Sequence, residues 1–359
     1  MSDQVRVGVI GTSWWADELY LPALSQYEKA DVVAVCGRNR ERAQAIADKY
    51  GVPQVFTDYR QMIDSKTCDA VIISTPDDTH YEMVMAVLDA GLHVLCEKPV
   101  ALNADHAGEM YRKAEAAGVK HMVMFSFRWF PNFRVIKQRV DSGYVGKLYH
   151  ADFRYMAGYG RSPDYAWRFD GDRAHGILGD LGSHLINLAC WYLGDVVSVS
   201  AQLASFVQHV TAEGQPVTPT NDLATLMLGF ASGAQATIQV SGVAHLGERQ
   251  MQQTTLLYGD AGTLETRFNF GGSGFRVHGL RHDEAEFSEH PIPAEMLKGA
   301  TAENPLGIFR EQPIGPRQFI DSILDDQPIE PGLDEGYKVQ QVIDAALKSH
   351  ETGQRVLIS

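Results

Sequence analysis

The stretch Arg6-Val7-Gly8-Val9-Ile10-Gly11-Thr12-Ser13-Trp14-Trp15-Ala16 decides the fold. After Arg6 it is apolar with no alternation, so residues 6–10 read as a strand buried on both faces. A glycine turn follows at once, and residues 17–27 then read as a helix. The same rhythm repeats outward. Strands are expected at 32–35, 55–56, 70–74, 93–97 and 119–125, and helices at 41–50, 80–90 and 104–117. Gly51 and Gly91 stand just past two of these helices, where a left-handed residue closes a helix without steric cost. Tyr81, Val84 and Leu88 share one helical face. Six buried strands alternating with helices predict a doubly wound parallel α/β sheet, which takes its ligand beyond the carboxyl ends of the strands.

Past residue 125 the period changes to two. Tyr149, Ala151, Phe153 and Tyr155 alternate with His150, Asp152 and Arg154. Val197, Val199, Ala201 and Leu203 repeat the pattern, as do Ala236, Ile238 and Val240. Helices are expected near 183–192 and at 335–349. Two domains follow: an α/β domain at 1–125, and an α+β domain at 126–359 with a large, mainly antiparallel open sheet.

The 359 residues carry a formal net charge of -14, which opposes binding to nucleic-acid phosphates or an anionic membrane. No apolar run approaches the ~18 residues of a membrane span. The opening Met1-Ser2-Asp3-Gln4 lacks the basic-then-apolar pattern of a secretion signal. Cys36, Cys68, Cys96 and Cys190 show no paired spacing, so reduced, buried thiols in a cytoplasmic protein are expected.

Gly11, Ser13 and Ala16 occupy the three key positions of a G-x-G-x-x-G/A turn of the Rossmann type. The first glycine permits the tight turn, the second usually lets a pyrophosphate approach, and the third position lets helix pack on strand. Gly11, Thr12, Ser13, Trp14 and Trp15 are therefore candidate cofactor contacts, with Ser13 a departure from the usual glycine. The second strand ends Val35-Cys36-Gly37-Arg38. Dinucleotide folds that take NAD usually place an acid where Gly37 stands. Gly37 removes its repulsion of a 2′-phosphate, and Arg38 offers charge-assisted hydrogen bonds to one, so NADP is favoured over NAD. The plainer alternative leaves Arg38 and Arg40 as solvated residues entering a helix, with either cofactor accepted.

Three further segments carry chemistry. The fourth strand runs into Ser74-Thr75-Pro76-Asp77-Asp78-Thr79-His80, and the fifth into Glu97-Lys98-Pro99. Both lie where a parallel sheet's ligand must sit. Lys98 is the most informative residue, since it leaves a buried strand directly onto a proline. Gly179-Asp180-Leu181-Gly182-Ser183-His184 follows in the second domain, with Asp180 and His184 on one face if helical. A helix cap and a structural histidine are their plainer readings. No third ligand at zinc spacing accompanies them, so no metal is expected.

Together these segments resemble the glucose–fructose oxidoreductase and inositol dehydrogenase family (Gfo/Idh/MocA), over nearly the whole chain. Val9-Ile10-Gly11-Thr12, Thr75-Pro76 with His80, Glu97-Lys98-Pro99, Phe127-Arg128-Trp129-Phe130-Pro131, Trp167-Arg168 and the Asp180–His184 segment carry the resemblance. One departure is Asn187, where many relatives have an acid.

The resemblance implies hydride transfer between nicotinamide and a sugar, inositol or related polyol. Lys98, Asp180 and His184 would handle the proton. Ser74, Thr75, Pro76, His80, Glu97, Trp167 and Arg168 join the cofactor contacts. Arg128, Arg154, Tyr155, His175, Asp180 and His184, with Lys98, are candidates for the substrate hydroxyls, although Arg154 fits a subunit interface equally. Two alternatives stand beside the dehydrogenase: an NAD-dependent glycoside hydrolase, and an NADP-binding regulator without turnover. The resemblance also implies a homodimer or homotetramer.

Overall fold

The computed structural model describes residues 3–247, 251–270, 274–301 and 304–358. The chain forms two compact units: Met1–Phe125 with Leu306–Lys338, and Ser126–Pro305 with Val339–Ser359.

In the first unit, strands β1 (Val5–Ile10), β2 (Ala30–Cys36), β3 (Gln54–Phe56), β4 (Ala70–Ile73), β5 (His93–Cys96) and β6 (His121–Val123) form one sheet in the order β3-β2-β1-β4-β5-β6. Every pairing is parallel. Val7, Val9, Val71, Ile72, Val94 and Leu95 have no exposed surface, as continuous apolar strands require when helices cover both faces. Two of the flanking helices start on side-chain caps: Asn39 accepts from the Arg42 N–H at 2.8 Å and Asn103 from that of His106 at 2.8 Å.

The segment expected as one helix at 17–27 is instead a π-helix, Ala16–Tyr20, running into a short α-helix, Leu21–Leu24. Pro22 explains the break. It has no N–H to give the Glu18 carbonyl, and Arg310 donates to that oxygen instead at 3.0 Å.

The expected division at 125/126 left 306–338 with the second domain; the structure returns this segment to the first unit. The helix Pro316–Leu324 buries Phe319 and Ile320 completely. Its Asp321 accepts from the Tyr27 hydroxyl at 2.6 Å and pairs with Lys29 at 2.7 Å. Arg317 donates to the Ala23 carbonyl at 2.8 Å, and the Val123 N–H donates to the Pro331 carbonyl at 2.8 Å.

The second unit is built on a nine-stranded sheet of β7 (Leu148–Ala157), β8 (Val196–Ala204), β9 (Leu223–Phe230), β10 (Gln235–Ser241), β11 (Met251–Gly259), β12 (Gly262–Phe270), β13 (Arg276–Arg281), β14 (Ser288–Glu289) and β15 (Val356–Leu357). The order is β14-β13-β12-β11-β7-β10-β9-β8-β15. Only the β7–β10 pairing is parallel. The helix Ser183–Leu193 packs on β7 and β10, where Phe153 and Ile238 are fully buried. The period-two pattern puts Asp152, Arg154 and Thr237 on the opposite, open face, beside Met227, which is 61% exposed.

Cys36, Cys68 and Cys96 are buried thiols and Cys190 is a half-buried one, none of them in a disulfide. Among the described residues, no helix is long and apolar enough to cross a membrane.

Candidate functional site

At the carboxyl ends of β1, β2 and β4 the first unit opens a cleft of about 390 Å³. Gly11, Thr12 and Ser13 form one wall, Gly37 and Arg38 a second, and Ser74, Thr75 and Pro76 a third. Gly11 has φ +117°, and a Cβ there would lie 2.1 Å from the Ser74 carbonyl oxygen, so only glycine lets the turn close on β4. Gly37 faces a similar limit: a Cβ would meet Thr12 Cγ2 at 2.6 Å.

Ser13 is accommodated by bonding to the scaffold. Its Oγ lies 2.9 Å from the Ser74 Oγ and accepts from the Ala16 N–H at 3.2 Å. Arg42, not singled out from the sequence, also borders the cleft beside Arg38. It lies in the first turn of the helix Arg40–Tyr50, four residues past Arg38, which precedes the Asn39 cap. Trp14 and Trp15 meet edge-on at 5.0 Å outside the cleft wall, with Trp14 58% exposed.

His80 has no exposed surface. Its Nδ1 lies 2.8 Å from the Pro99 carbonyl oxygen and its Nε2 2.9 Å from that of Thr75. The ring thus ties the turn after β4 to the turn after β5 from behind the cleft. Thr79 closes the same turn, donating to the Pro76 carbonyl at 2.7 Å.

Glu97 accepts from the Tyr20 hydroxyl at 2.6 Å and from the Lys98 N–H at 3.2 Å. Tyr20 is fully buried and sits in the π-helix, whose wider turn carries it to β5. Burial, then the Glu97 charge, hold its phenol well above the ordinary range, so it remains a donor. Lys98 follows, half-buried, with Pro99 buried behind it.

In the second unit Asp180 lies in a π-helix, Leu178–Gly182, that leads into the helix bearing His184. π-turns inside helices are frequent at functional sites. Asn221 frames this one: its Oδ1 accepts from the Leu178 N–H at 2.9 Å, its carbonyl accepts from the Ile177 N–H at 2.9 Å, and its Nδ2 donates to the His175 carbonyl at 2.9 Å. Gly176, at φ +59°, allows the approach, since a Cβ there would lie 2.1 Å from the Asn221 carbonyl.

The Asp180 Oδ2 accepts from the Tyr159 hydroxyl at 2.5 Å and pairs with Arg168 Nε at 3.2 Å. The Arg168 guanidinium lies over the Trp167 ring at 4.4 Å. His184 is 6% exposed, and its ring stacks on Phe127 at 4.4 Å. Phe127 in turn meets Tyr155 at 5.3 Å.

Asn187, the departure noted above, accepts from Arg128 Nε at 2.9 Å, and the Arg128 guanidinium lies over Trp191 at 4.6 Å. Trp167, Arg168 and Asp180 are therefore brought together, as are Tyr155 and His184. Arg154 is not: it points from the sheet face opposite Tyr155. Tyr159, Tyr20 and Asn221 were missed, because each acts on a partner distant in sequence.

Residues 5–125 match the family model described as "Oxidoreductase family, NAD-binding Rossmann fold", and residues 133–265 match the GFO/IDH/MocA C-terminal domain. The chain is 26% identical to levoglucosan dehydrogenase of Pseudarthrobacter phenanthrenivorans over 87% of this chain and 85% of that protein. It is 25% identical to D-glucoside 3-dehydrogenase of Escherichia coli over 99% and 98% of the two. It is 30% identical to scyllo-inositol 2-dehydrogenase (NADP(+)) of Bacillus subtilis over 66% and 74%. Among solved structures, levoglucosan dehydrogenase in complex with NADH and levoglucosan superposes with a TM-score of 0.86 at 23% identity, covering 99% of both chains.

Proposed function

The chain belongs to the GFO/IDH/MocA oxidoreductase family, and on that premise we propose that it is a nicotinamide-dependent dehydrogenase interconverting a secondary alcohol and a ketone on a neutral monosaccharide, inositol or related polyol. The observation that carries the reading is the cleft beyond β1, β2 and β4. There Gly11 lets the turn close on Ser74, and Gly37 leaves the ribose position without an acid. Its shape and donors suit the pyrophosphate and adenosine ribose of a dinucleotide. When bound, the nicotinamide supplies or accepts the hydride.

The protein's own groups handle the proton and the charge. As a cation, Lys98 hydrogen-bonds the substrate oxygen and stabilises its developing negative charge. His184, an imidazole that can both give and take a proton, exchanges the hydroxyl proton. Asp180 orients either partner, and Glu97, fixed by Tyr20, faces the cofactor. Trp167 and Arg168 approach the nicotinamide side, and Arg128, Tyr155 and His175 serve the substrate hydroxyls. Arg154 is left out of that set and assigned to the sheet's open face, through which the chain self-associates.

NADP is the preferred cofactor in this reading. Arg38 and Arg42 flank the position where a 2′-phosphate would sit, and no acid stands there to repel it. Named relatives include both an NADP(+) enzyme and a dehydrogenase solved with NADH, so the preference is argued from this chain's residues. The test is a panel of aldoses, inositols and anhydrosugars with NAD⁺ and NADP⁺, followed by absorbance of the reduced nicotinamide. Oxidation of at least one polyol with NADP⁺ preferred is expected. A strong NAD⁺ preference would defeat the Arg38 assignment. Sugar release without net cofactor reduction would replace dehydrogenation by hydrolysis.

A further inference from the structure

We propose that Tyr159 is a positioning residue for Asp180, a fixed hydroxyl donor that holds the carboxylate in its ionised form and in one orientation. The inference rests on the dehydrogenase reading for the importance of Asp180, but not for the contact itself. The Tyr159 hydroxyl donates to Asp180 Oδ2 at 2.5 Å, the same oxygen that Arg168 Nε approaches at 3.2 Å. Two donors converging on one carboxylate oxygen favour its charged form.

The local sequence is built to put the hydroxyl there. Tyr159 lies between two glycines that cannot carry side chains. A Cβ at Gly158 would lie 2.7 Å from the Ala244 carbonyl, and one at Gly160 would lie 2.6 Å from Phe169 Cζ. The Gly160 N–H donates to the Gly242 carbonyl at 2.8 Å and fixes the backbone. The Tyr159 ring meets Phe169 at 5.9 Å, and Phe169 stacks on the buried His209 at 4.5 Å. His209 is held in turn, its Nδ1 lying 3.1 Å from the Asp164 carbonyl. The hydroxyl is thus carried on a ring that leans against a stacked Phe169–His209 pair, itself tied to backbone.

Desolvation and the adjacent Asp180 charge both push the Tyr159 phenol well above its ordinary pKa. With 39% of the residue exposed, the carboxylate is the firmer of the two causes. The group therefore remains a donor throughout the working pH range. Charged and titratable groups that face Asp180 include Tyr159, Arg168 and Tyr155 of β7, and His184 lies one turn along the chain.

The test is Tyr159→Phe, which keeps the ring and removes one O–H. Cofactor affinity and the melting temperature should stay close to those of the unaltered protein. The turnover number should fall about tenfold, the loss of roughly 1.4 kcal/mol. The acidic limb of the kcat/KM profile should move to higher pH by about one unit, because the carboxylate loses a donor to its charged form. In the cofactor-free protein, the Asp180 carboxyl stretch, identified in the infrared by its loss in Asp180→Asn, should show protonation at higher pH in Tyr159→Phe. Unchanged turnover, or an unchanged carboxyl titration, overturns the proposal. Asp180→Asn separates the two levels of inference. If Asp180→Asn keeps its activity, the dehydrogenase role of Asp180 fails. If it is inactive while Tyr159→Phe is normal, only the Tyr159 role fails.

Discussion

Thr12 occupies the space that any side chain at Gly37 would need, its Cγ2 lying 2.6 Å from the position of an added Cβ. The turn after β1 and the end of β2 therefore constrain one another directly at one end of the cleft. Gly37→Asp should both displace Thr12 and place a negative charge beside a 2′-phosphate. We expect affinity for NADP⁺ to fall at least tenfold, and more than affinity for NAD⁺, in fluorescence titrations. A variant that binds NADP⁺ as before would show that the phosphate sits elsewhere.

Arg38→Ala tests the same end of the cleft by removing attraction. A charge-assisted hydrogen bond contributes about 1.5–3 kcal/mol, so its loss should weaken NADP⁺ binding by roughly 10–100-fold while leaving NAD⁺ nearly unaffected. Equal losses for the two cofactors would make Arg38 a structural residue.

Lys98→Ala should lower kcat by roughly 10²–10⁴-fold, the usual contribution of a positioned proton-handling group. Cofactor binding should persist, since the Gly11 turn, Gly37 and the Ser74–Pro76 wall are untouched. Turnover near that of the unaltered protein would remove Lys98 from the mechanism.

Gly11→Ala asks whether the turn tolerates a methyl group. At φ +117° the backbone alone imposes a penalty of about 1–3 kcal/mol, and the Cβ would lie 2.1 Å from the Ser74 carbonyl. Loss of cofactor binding together with a lower melting temperature is expected by calorimetry.

The cysteines give a pH-dependent test. Burial pushes the Cys36 thiol up to about 12 and holds Cys96 well above its ordinary value. A raised thiol pKa favours the neutral form, so the nucleophilic thiolate is scarce at pH 8 and gains population only as the pH approaches that value. A thiol reagent at pH 8 should modify the half-buried Cys190 first, and Cys36, Cys68 and Cys96 only after denaturation. Rapid native modification of Cys36 would contradict the burial of β2.

Much of this architecture was legible because it depends on local pattern. Continuous apolar strands specified the parallel sheet, and period-two alternation from Tyr149 to Tyr155 specified the open one. The glycine turn at Gly11 and the exit of Lys98 from β5 are likewise local signals. What escaped depends on partners far along the chain. Pro22 breaks the first helix's regular ladder, and the Glu18 carbonyl it leaves is met by Arg310, far along the chain. Tyr20 acts on Glu97, Tyr159 on Asp180 and Asn221 on the turn before Asp180, and no spacing rule connects such pairs. His80 looks like a cleft residue in its motif, yet complete burial turns it toward two carbonyl oxygens. Strand alternation did separate Arg154 from Tyr155, but could not say which face the helix Ser183–Leu193 would cover.

The helix Leu333–Thr352 starts in the first unit and ends in the second, the boundary falling after Lys338. A ribosome making this protein must therefore reach Lys338 before the cofactor-binding half has all its parts. An isolated fragment ending at Phe125 would emerge without Asp321 to meet Tyr27 and Lys29, and without Pro331 to pair with Val123. Chimaeras that graft this half onto a relative should transplant residues 306–338 with it.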